Sequence, residues 1–268
     1  MISIHLQGRL GNMMFQIAFL EYTGKRFGYE TFYPNARENI NTYINGTDIH
    51  PPNPDAKDYH KIFKNFDWFK NEDKPYEVNC FMQIPFKFKH IYHVDDKTKF
   101  KGYFQSEQWW GGEREFMQEL FAPSDFVLDK LSKYKYLFEG NICAIHVRRG
   151  DYLRYPDIHP TVTVDYISRA KEKLRGHSIS RYLIFSDDIQ WCKEHVQDSK
   201  YVFIEGEKDY IELFLIGMCQ HKIISNSTFP WWGSYLSTIG GITIAPKVWI
   251  ADPKIDDSAV CPWHWKQL

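Results

Sequence analysis

Ile142-Cys143-Ala144-Ile145-His146-Val147 is an unbroken apolar run, and Arg148-Arg149-Gly150-Asp151 follows it directly. A run without polar alternation is the pattern of a strand buried on both faces. The pattern recurs at Tyr182-Leu183-Ile184-Phe185, Tyr201-Val202-Phe203-Ile204, Lys222-Ile223-Ile224-Ser225 and Ile242-Thr243-Ile244. Helices are expected between them, over 164–175, 188–197, 210–219 and 229–238. Strands alternating with helices in this way predict a parallel sheet covered on both faces. Such sheets bind ligands beyond the carboxyl ends of their strands, and the polar residues gather at those ends. His146, Arg148, Arg149 and Asp151 close the first strand, and Ser186-Asp187-Asp188 the second. Glu205-Gly206 closes the third and Ser225-Asn226-Ser227-Thr228 the fourth.

The other half of the chain is less regular. Ile2, Ile4 and Leu6 alternate as in a strand, Gln7-Gly8-Arg9-Leu10-Gly11-Asn12 follows as a loop, and a helix is expected over 13–27. The loop is not a dinucleotide fingerprint, because its glycines do not have that spacing. From 35 to 90, Pro51-Pro52-Asn53-Pro54 and many Asn, Asp and Lys residues suggest loops with short helices. No function is legible there. The chain is long enough for two small α/β domains, expected over 1–138 and 139–268.

A net charge of -1 provides no global field to recruit nucleic acid or an anionic membrane, so any anion site must be local. The five cysteines are scattered and form no C-x-x-C pair, which fits a reducing compartment and argues against a zinc site. The first residues have no basic stretch or long apolar run of the signal-peptide kind. No apolar stretch approaches the ~18 residues of a membrane span, so a cytoplasmic protein is expected. Aromatic residues make up 17% of the chain, and they suit either sugar stacking or core packing.

Arginine offers a rigid fork of donors matched to phosphate oxygens and keeps its charge. Side chains alternate along an extended segment, so Arg148 and Arg149 are expected to diverge. One would contact a diphosphate, and the other would pair with an acid such as Asp151. Ser227 or Thr228 is a natural N-cap with Pro230 just inside the helix, and such a helix start also receives phosphate well. Asp187 and Asp188 admit two readings, a metal-binding pair or helix capping, and capping is favoured because both acids open an expected helix.

Together these segments resemble the α-1,2-fucosyltransferase family, glycosyltransferase family eleven. The resemblance rests on Gly8-x-Leu10-Gly11-Asn12-x-Met14-Phe15-Gln16, Gly102-Tyr103-Phe104-Gln105-Ser106-Glu107 and His146-Val147-Arg148-Arg149-Gly150-Asp151-Tyr152. Phe185-Ser186-Asp187-Asp188-Ile189-x-Trp191-Cys192 and Ile223-Ile224-Ser225-Asn226-Ser227-Thr228-Phe229-x-Trp231-Trp232-Gly233 complete it, in the family's order. It implies a GT-B fold, two Rossmann-like domains facing a cleft, with 1–138 on the acceptor side and 139–268 binding GDP-fucose. It also implies inverting transfer of L-fucose to the 2-hydroxyl of a terminal galactose on a glycan acceptor, with no metal or other cofactor.

By the same resemblance, Arg148 binds the diphosphate with His146 beside it, and Ser227 and Thr228 meet the phosphates. Gly11 and Asn12 approach the donor from the N-terminal domain, and Asp187 joins the donor-binding set. Glu212 stands where relatives usually have Asp, at the guanine-reading acid. Arg148 is the expected catalytic residue. Asp151 is the first candidate for a general base, or else it orients Arg149. Met13 replaces a usual Gln, and Pro230 a usual Ser. The alternatives are a non-catalytic carbohydrate-binding protein, or a transferase using another GDP-sugar or linkage.

Overall fold

Ile2 and Ile4 are fully buried, and β1 (Ile2–Ile4) accordingly runs between two parallel neighbours rather than at an edge. α1 (Leu10–Phe27) follows it. The helix ends at Gly28, whose φ of 75° suits the left-handed position that glycine occupies without strain, and the Gly28 N–H reaches back to Gly24 O. α1 begins three residues earlier than the sequence pattern suggests, so Gly11 and Asn12 lie in its first turn rather than in the preceding loop. Gly8 sits at φ +79°, and a Cβ there would lie 2.4 Å from Asn12 Nδ2. Asn12 Oδ1 accepts from Gln105 Nε2 at 2.9 Å. Met13, the departure from the family pattern, is fully buried and its Sδ accepts from Asn39 Nδ2 at 2.9 Å.

The computed structural model describes all residues except 49–50, 71–78 and 85, so parts of the 35–90 stretch lie outside the described residues. After α1 come β2 (Thr31–Phe32), α2 (Ala36–Asn45), β3 (Asn79–Met82), β4 (Thr98–Lys101) and α3 (Arg114–Leu120). The four strands form a parallel sheet in the order β2-β1-β4-β3.

The second sheet is built around β5 (Ile142–Val147), all six residues of which are buried. α4 (Asp125–Ser132) precedes it. The chain continues through α5 (Val164–Lys173), β6 (Arg181–Ser186), α6 (Ile189–His195), β7 (Tyr201–Phe203), α7 (Asp209–Met218), β8 (His221–Ile223), α8 (Thr228–Tyr235), β9 (Thr243–Ala245) and β10 (Lys266–Gln267). Every pairing is parallel, in the order β10-β9-β8-β5-β6-β7. The five expected strands are all present, β5 with the expected bounds and the other four with ends shifted by one or two residues, whereas β10 was not expected. The tryptophan pairs have a packing role: Trp110, Trp231 and Trp232 are fully buried and Trp109 nearly so.

The chain separates into two compact units, Met1–Ser124 with Ile255–Pro262, and Asp125–Lys254 with Trp263–Leu268. The division falls at Ser124/Asp125 rather than at 138/139. The cause is α4, whose Phe126 ring packs against Tyr210 of α7. The tail also returns to the first unit before its last residues add β10 to the second.

Candidate functional site

Val147 is the last buried residue of β5, and the two arginines that follow it diverge as alternation requires. Arg148 Nη1 lies 3.0 Å from Asp187 Oδ2, and Nη2 donates to Asp151 Oδ1. Arg149 turns the other way, with Nε 3.1 Å from Asp188 Oδ2 and its guanidinium 4.0 Å from the centre of the Trp191 ring. The expected division between one phosphate-facing and one paired arginine is therefore redrawn. Asp151 orients Arg148, not Arg149, because the chain turns at Gly150, ahead of one turn of 3-10 helix (Asp151–Arg154), and brings Asp151 back to Arg148.

Asp187 and Asp188 are adjacent but do different things. Asp187 Oδ1 accepts the Arg149 backbone N–H at 2.9 Å while its other oxygen holds Arg148. Asp188 is the N-cap of α6, accepting from Trp191 N at 3.2 Å. Capping thus holds for Asp188 and not for Asp187. Both carboxylates are committed to arginines and backbone donors, an arrangement that divides them rather than converging them on one cation. Among the described residues no group of three His, Cys, Asp or Glu side chains converges as a metal site. Gly150 is required by this arrangement, since a Cβ there would lie 2.3 Å from Asp187 Oδ2.

Burial alone would weaken protonation of Arg148, but Asp187 and Asp151 more than compensate and raise its pKa. A guanidinium has five N–H donors, and the two carboxylates leave others for an incoming anion. His146 is 6% exposed. Burial, with a smaller contribution from Arg148, pulls its pKa down to about 3, so the ring is neutral. Its Nδ1 is 2.8 Å from Ser225 Oγ and its ring lies 5.8 Å from Phe229. These contacts tie the exit of β5 to the entry of α8. Ser227 caps that helix by accepting from Phe229 N, and Thr228 is its first residue. Pro230 falls inside the first turn, where a missing N–H has no intrahelical role to lose.

The structure therefore brings His146, Arg148, Asp151, Asp187, Ser227 and Thr228 to the carboxyl end of one sheet. Glu212 is half-buried in the first turn of α7, within electrostatic reach of Tyr134 rather than in the Arg148 cluster. Gly11 and Asn12 belong to the other unit. Glu205 pairs with Lys193 on the surface and takes no part. Trp191, whose only place in the sequence was within the motif over 185–192, proves to be the aromatic support of Arg149. Its signal was its place three residues after Asp188, in the first turn of α6.

The chain is similar to known glycosyltransferases. The family model for glycosyl transferase family 11 matches residues 1–268. An α-1,2-colitosyltransferase of Escherichia coli is 31% identical over 184 residues, 64% of this chain and 62% of that protein. The O-antigen biosynthesis glycosyltransferase WbnK of the same species is 32% identical over 56% of this chain and 54% of its own length. The mouse galactoside 2-α-L-fucosyltransferase Sec1 is 26% identical over 91% of this chain and 66% of its own. The chain thus spans between about half and two thirds of these relatives. Among solved structures, fucosyltransferase NodZ from Bradyrhizobium superposes with a TM-score of 0.60 at 13% identity, covering 87% of this chain and 91% of NodZ. POFUT1 in complex with GDP-fucose gives 0.54 at 12% identity, covering 91% and 96%. The fold is α/β of GT-B type, with a Rossmann-like parallel sheet in each unit. No helix among the described residues is long and apolar enough to cross a membrane. The chain belongs to glycosyl transferase family 11.

Proposed function

We propose that the protein is an inverting glycosyltransferase that moves L-fucose from GDP-fucose to the 2-hydroxyl of a terminal galactose on a glycan, without a metal ion. The observation that carries this reading is the placement of Arg148 beside the start of α8, both at the carboxyl end of the six-stranded sheet. Family membership and relatives named as α-1,2-transferases support it. The second unit is the donor-binding one in this reading, and the first is the acceptor side.

Rupture of the fucosyl–phosphate bond places positive charge on the sugar and negative charge on the departing GDP. Arg148, with Ser227, Thr228 and the first N–H groups of α8, stabilises that leaving group. Preorganised donors of this kind are worth roughly 3–4 kcal/mol each in a transition state. His146, neutral and fixed by Ser225, adds no competing charge. Gly11, Asn12, Asp187 and Glu212 complete the proposed donor set, Asp187 by holding Arg148 and Glu212 by reading guanine. Asp151 is the proposed base for the acceptor hydroxyl, a role that requires it to exchange its contact with Arg148 for one with the hydroxyl. We infer a cytoplasmic site for the reaction, and the five free thiols support it.

Transfer of a related GDP-linked sugar is the second reading, favoured by the similarity to a colitosyltransferase. In a purely sugar-binding protein the paired tryptophans would not serve as stacking platforms, because stacking needs exposed rings and these are buried. The test is incubation with GDP-fucose and an array of β-galactosides in the presence of a chelator, with the product linkage read by NMR. An α-1,2-fucosylated galactoside is expected. A strict Mn²⁺ requirement, or no transfer alongside GDP-independent sugar binding, overturns the proposal.

A further inference from the structure

Tyr152 and His159 stand beside the Arg148 loop, and the chemistry above gives neither of them a role. After the Asp151–Arg154 turn the chain folds back, and His159 N donates to Tyr155 O at 2.8 Å. This lays the imidazole on the Tyr152 ring, with centroids 4.5 Å apart and planes 18° from parallel. The Arg148 guanidinium carbon is 5.4 Å from the centre of the same ring. At the far end of the ring, the Tyr152 hydroxyl donates to Asn226 O at 3.0 Å, with the Ser227 hydroxyl close by. One side chain thus meets the arginine at the exit of β5 with its ring and the entry of α8 with its hydroxyl.

His159 is itself firmly held. Ala251 N donates to the carbonyl of the preceding Ile158 at 2.9 Å. His159 Nδ1 is buried and has no hydrogen-bond partner among the described residues, and the contact the ring makes with Tyr152 is through its face. Burial lowers its proton affinity, which suits a ring packed near a guanidinium.

We propose that His159 and Tyr152 are positioning residues that fix the Arg148 guanidinium relative to the Ser227–Thr228 helix start. His159 backs the tyrosine ring, and the ring and hydroxyl together set the spacing between the two groups that receive the diphosphate. The inference rests on the donor-site reading given above. Electrostatic stabilisation of a leaving group depends steeply on placement, and a shift of about 1 Å is able to cost on the order of a hundredfold in rate. His159 belongs to none of the recognised motifs, so only the fold brings it to the site.

The test compares wild type, His159→Ala, His159→Phe, Tyr152→Phe and the Tyr152→Phe/His159→Ala double variant. Steady-state transfer from GDP-fucose to a galactoside, calorimetric titration with GDP and thermal unfolding are measured for each. His159→Ala and Tyr152→Phe are each expected to lower kcat about tenfold, the scale of one lost aromatic or hydrogen-bond contact, with KM for GDP-fucose changed less than about threefold. His159→Phe restores kcat to within about threefold of wild type, because it restores the ring face. The double variant is no slower than the product of the two single losses and is expected to fall short of it, as for residues acting through one element.

His159→Ala turning over at the wild-type kcat overturns the proposal, even if its unfolding midpoint falls. So does His159→Phe being as slow as His159→Ala, which would mean a polar role, or losses in the double variant that multiply fully. Should His159→Ala fail to fold, Tyr152→Phe decides: a wild-type kcat overturns the proposal and a reduced kcat with unchanged KM supports it. An active wild type with unaffected variants leaves the donor site standing and removes only the positioning role. A wild type that neither binds GDP nor transfers fucose removes both.

Discussion

Replacing Arg148 with alanine takes away the cation between Asp151 and Asp187, and the structure sets the size of two separate losses. The side chains of Arg148, Asp151 and Asp187 are 16%, 11% and 25% exposed, between a surface pair and a fully buried one. Removing one partner of a fully buried pair costs about 3–5 kcal/mol, whereas exposed pairs are worth about 0–1 kcal/mol. The expected destabilisation is therefore about 2–3 kcal/mol, read as a drop of roughly 5–10 °C in the unfolding midpoint of the second unit. On the proposed function, in which Arg148 acts where the leaving group gains charge, turnover falls by about a hundred- to a thousandfold. Adding Asp187→Asn to Arg148→Ala removes one of the stranded carboxylates, and about half of the lost stability returns while activity does not. Differential scanning calorimetry and GDP-fucose turnover measured on the same samples separate the two effects. An Arg148→Ala protein that unfolds at the wild-type temperature, or keeps more than about a tenth of its activity, refutes the reasoning.

Three further outcomes follow from the same geometry. His146 binds a proton at about 3 in the folded chain and near 6.5 when unfolded, so the unfolded state takes up more protons between those values. Its contribution to stability is complete above about pH 6.5 and is lost as pH falls, by about 2 kcal/mol between pH 7 and pH 5; a His146→Asn variant, compared by urea unfolding at both pH values, should lose less. Gly150→Ala puts a methyl group against Asp187 and should lower turnover at least about tenfold through Arg148 while shifting the midpoint only a few degrees, about 1–2 kcal/mol. Trp191→Ala removes the ring under Arg149 and should cost about 1–2 kcal/mol in unfolding assays, with turnover within about threefold of wild type, because Arg149 lies outside the proposed donor set.

The second sheet was legible because β5, β6 and β8 lie inside it, where burial on both faces leaves an uninterrupted apolar signature. β10 was not, since Lys266-Gln267 is an exposed two-residue strand with no hydrophobic pattern. β3 and β4 are four residues each, too short for alternation such as Thr98-Lys99-Phe100-Lys101 to stand out among neighbouring polar segments. In the site, the strand-end rule located the arginines correctly but not their partners. Extended geometry predicts where Arg148 and Arg149 point. It does not predict the turn at Gly150 that returns Asp151 to Arg148, or the division of labour between two adjacent aspartates. His159 left no signal because its position depends on a loop folding back onto Tyr152.

The two carboxylates around Arg148 bear on release as much as on capture. With Asp151 and Asp187 in place, the arginine at rest is surrounded by more negative than positive charge. On the proposed function, a diphosphate entering the site competes with partners already within reach, and those partners reclaim the guanidinium when the nucleotide leaves. An arginine held alone at a helix start would retain any passing anion, spent GDP included. In that proposal, two tethered aspartates make the exchange reversible at both ends, so that the group assigned to the leaving nucleotide need not become the trap that keeps it.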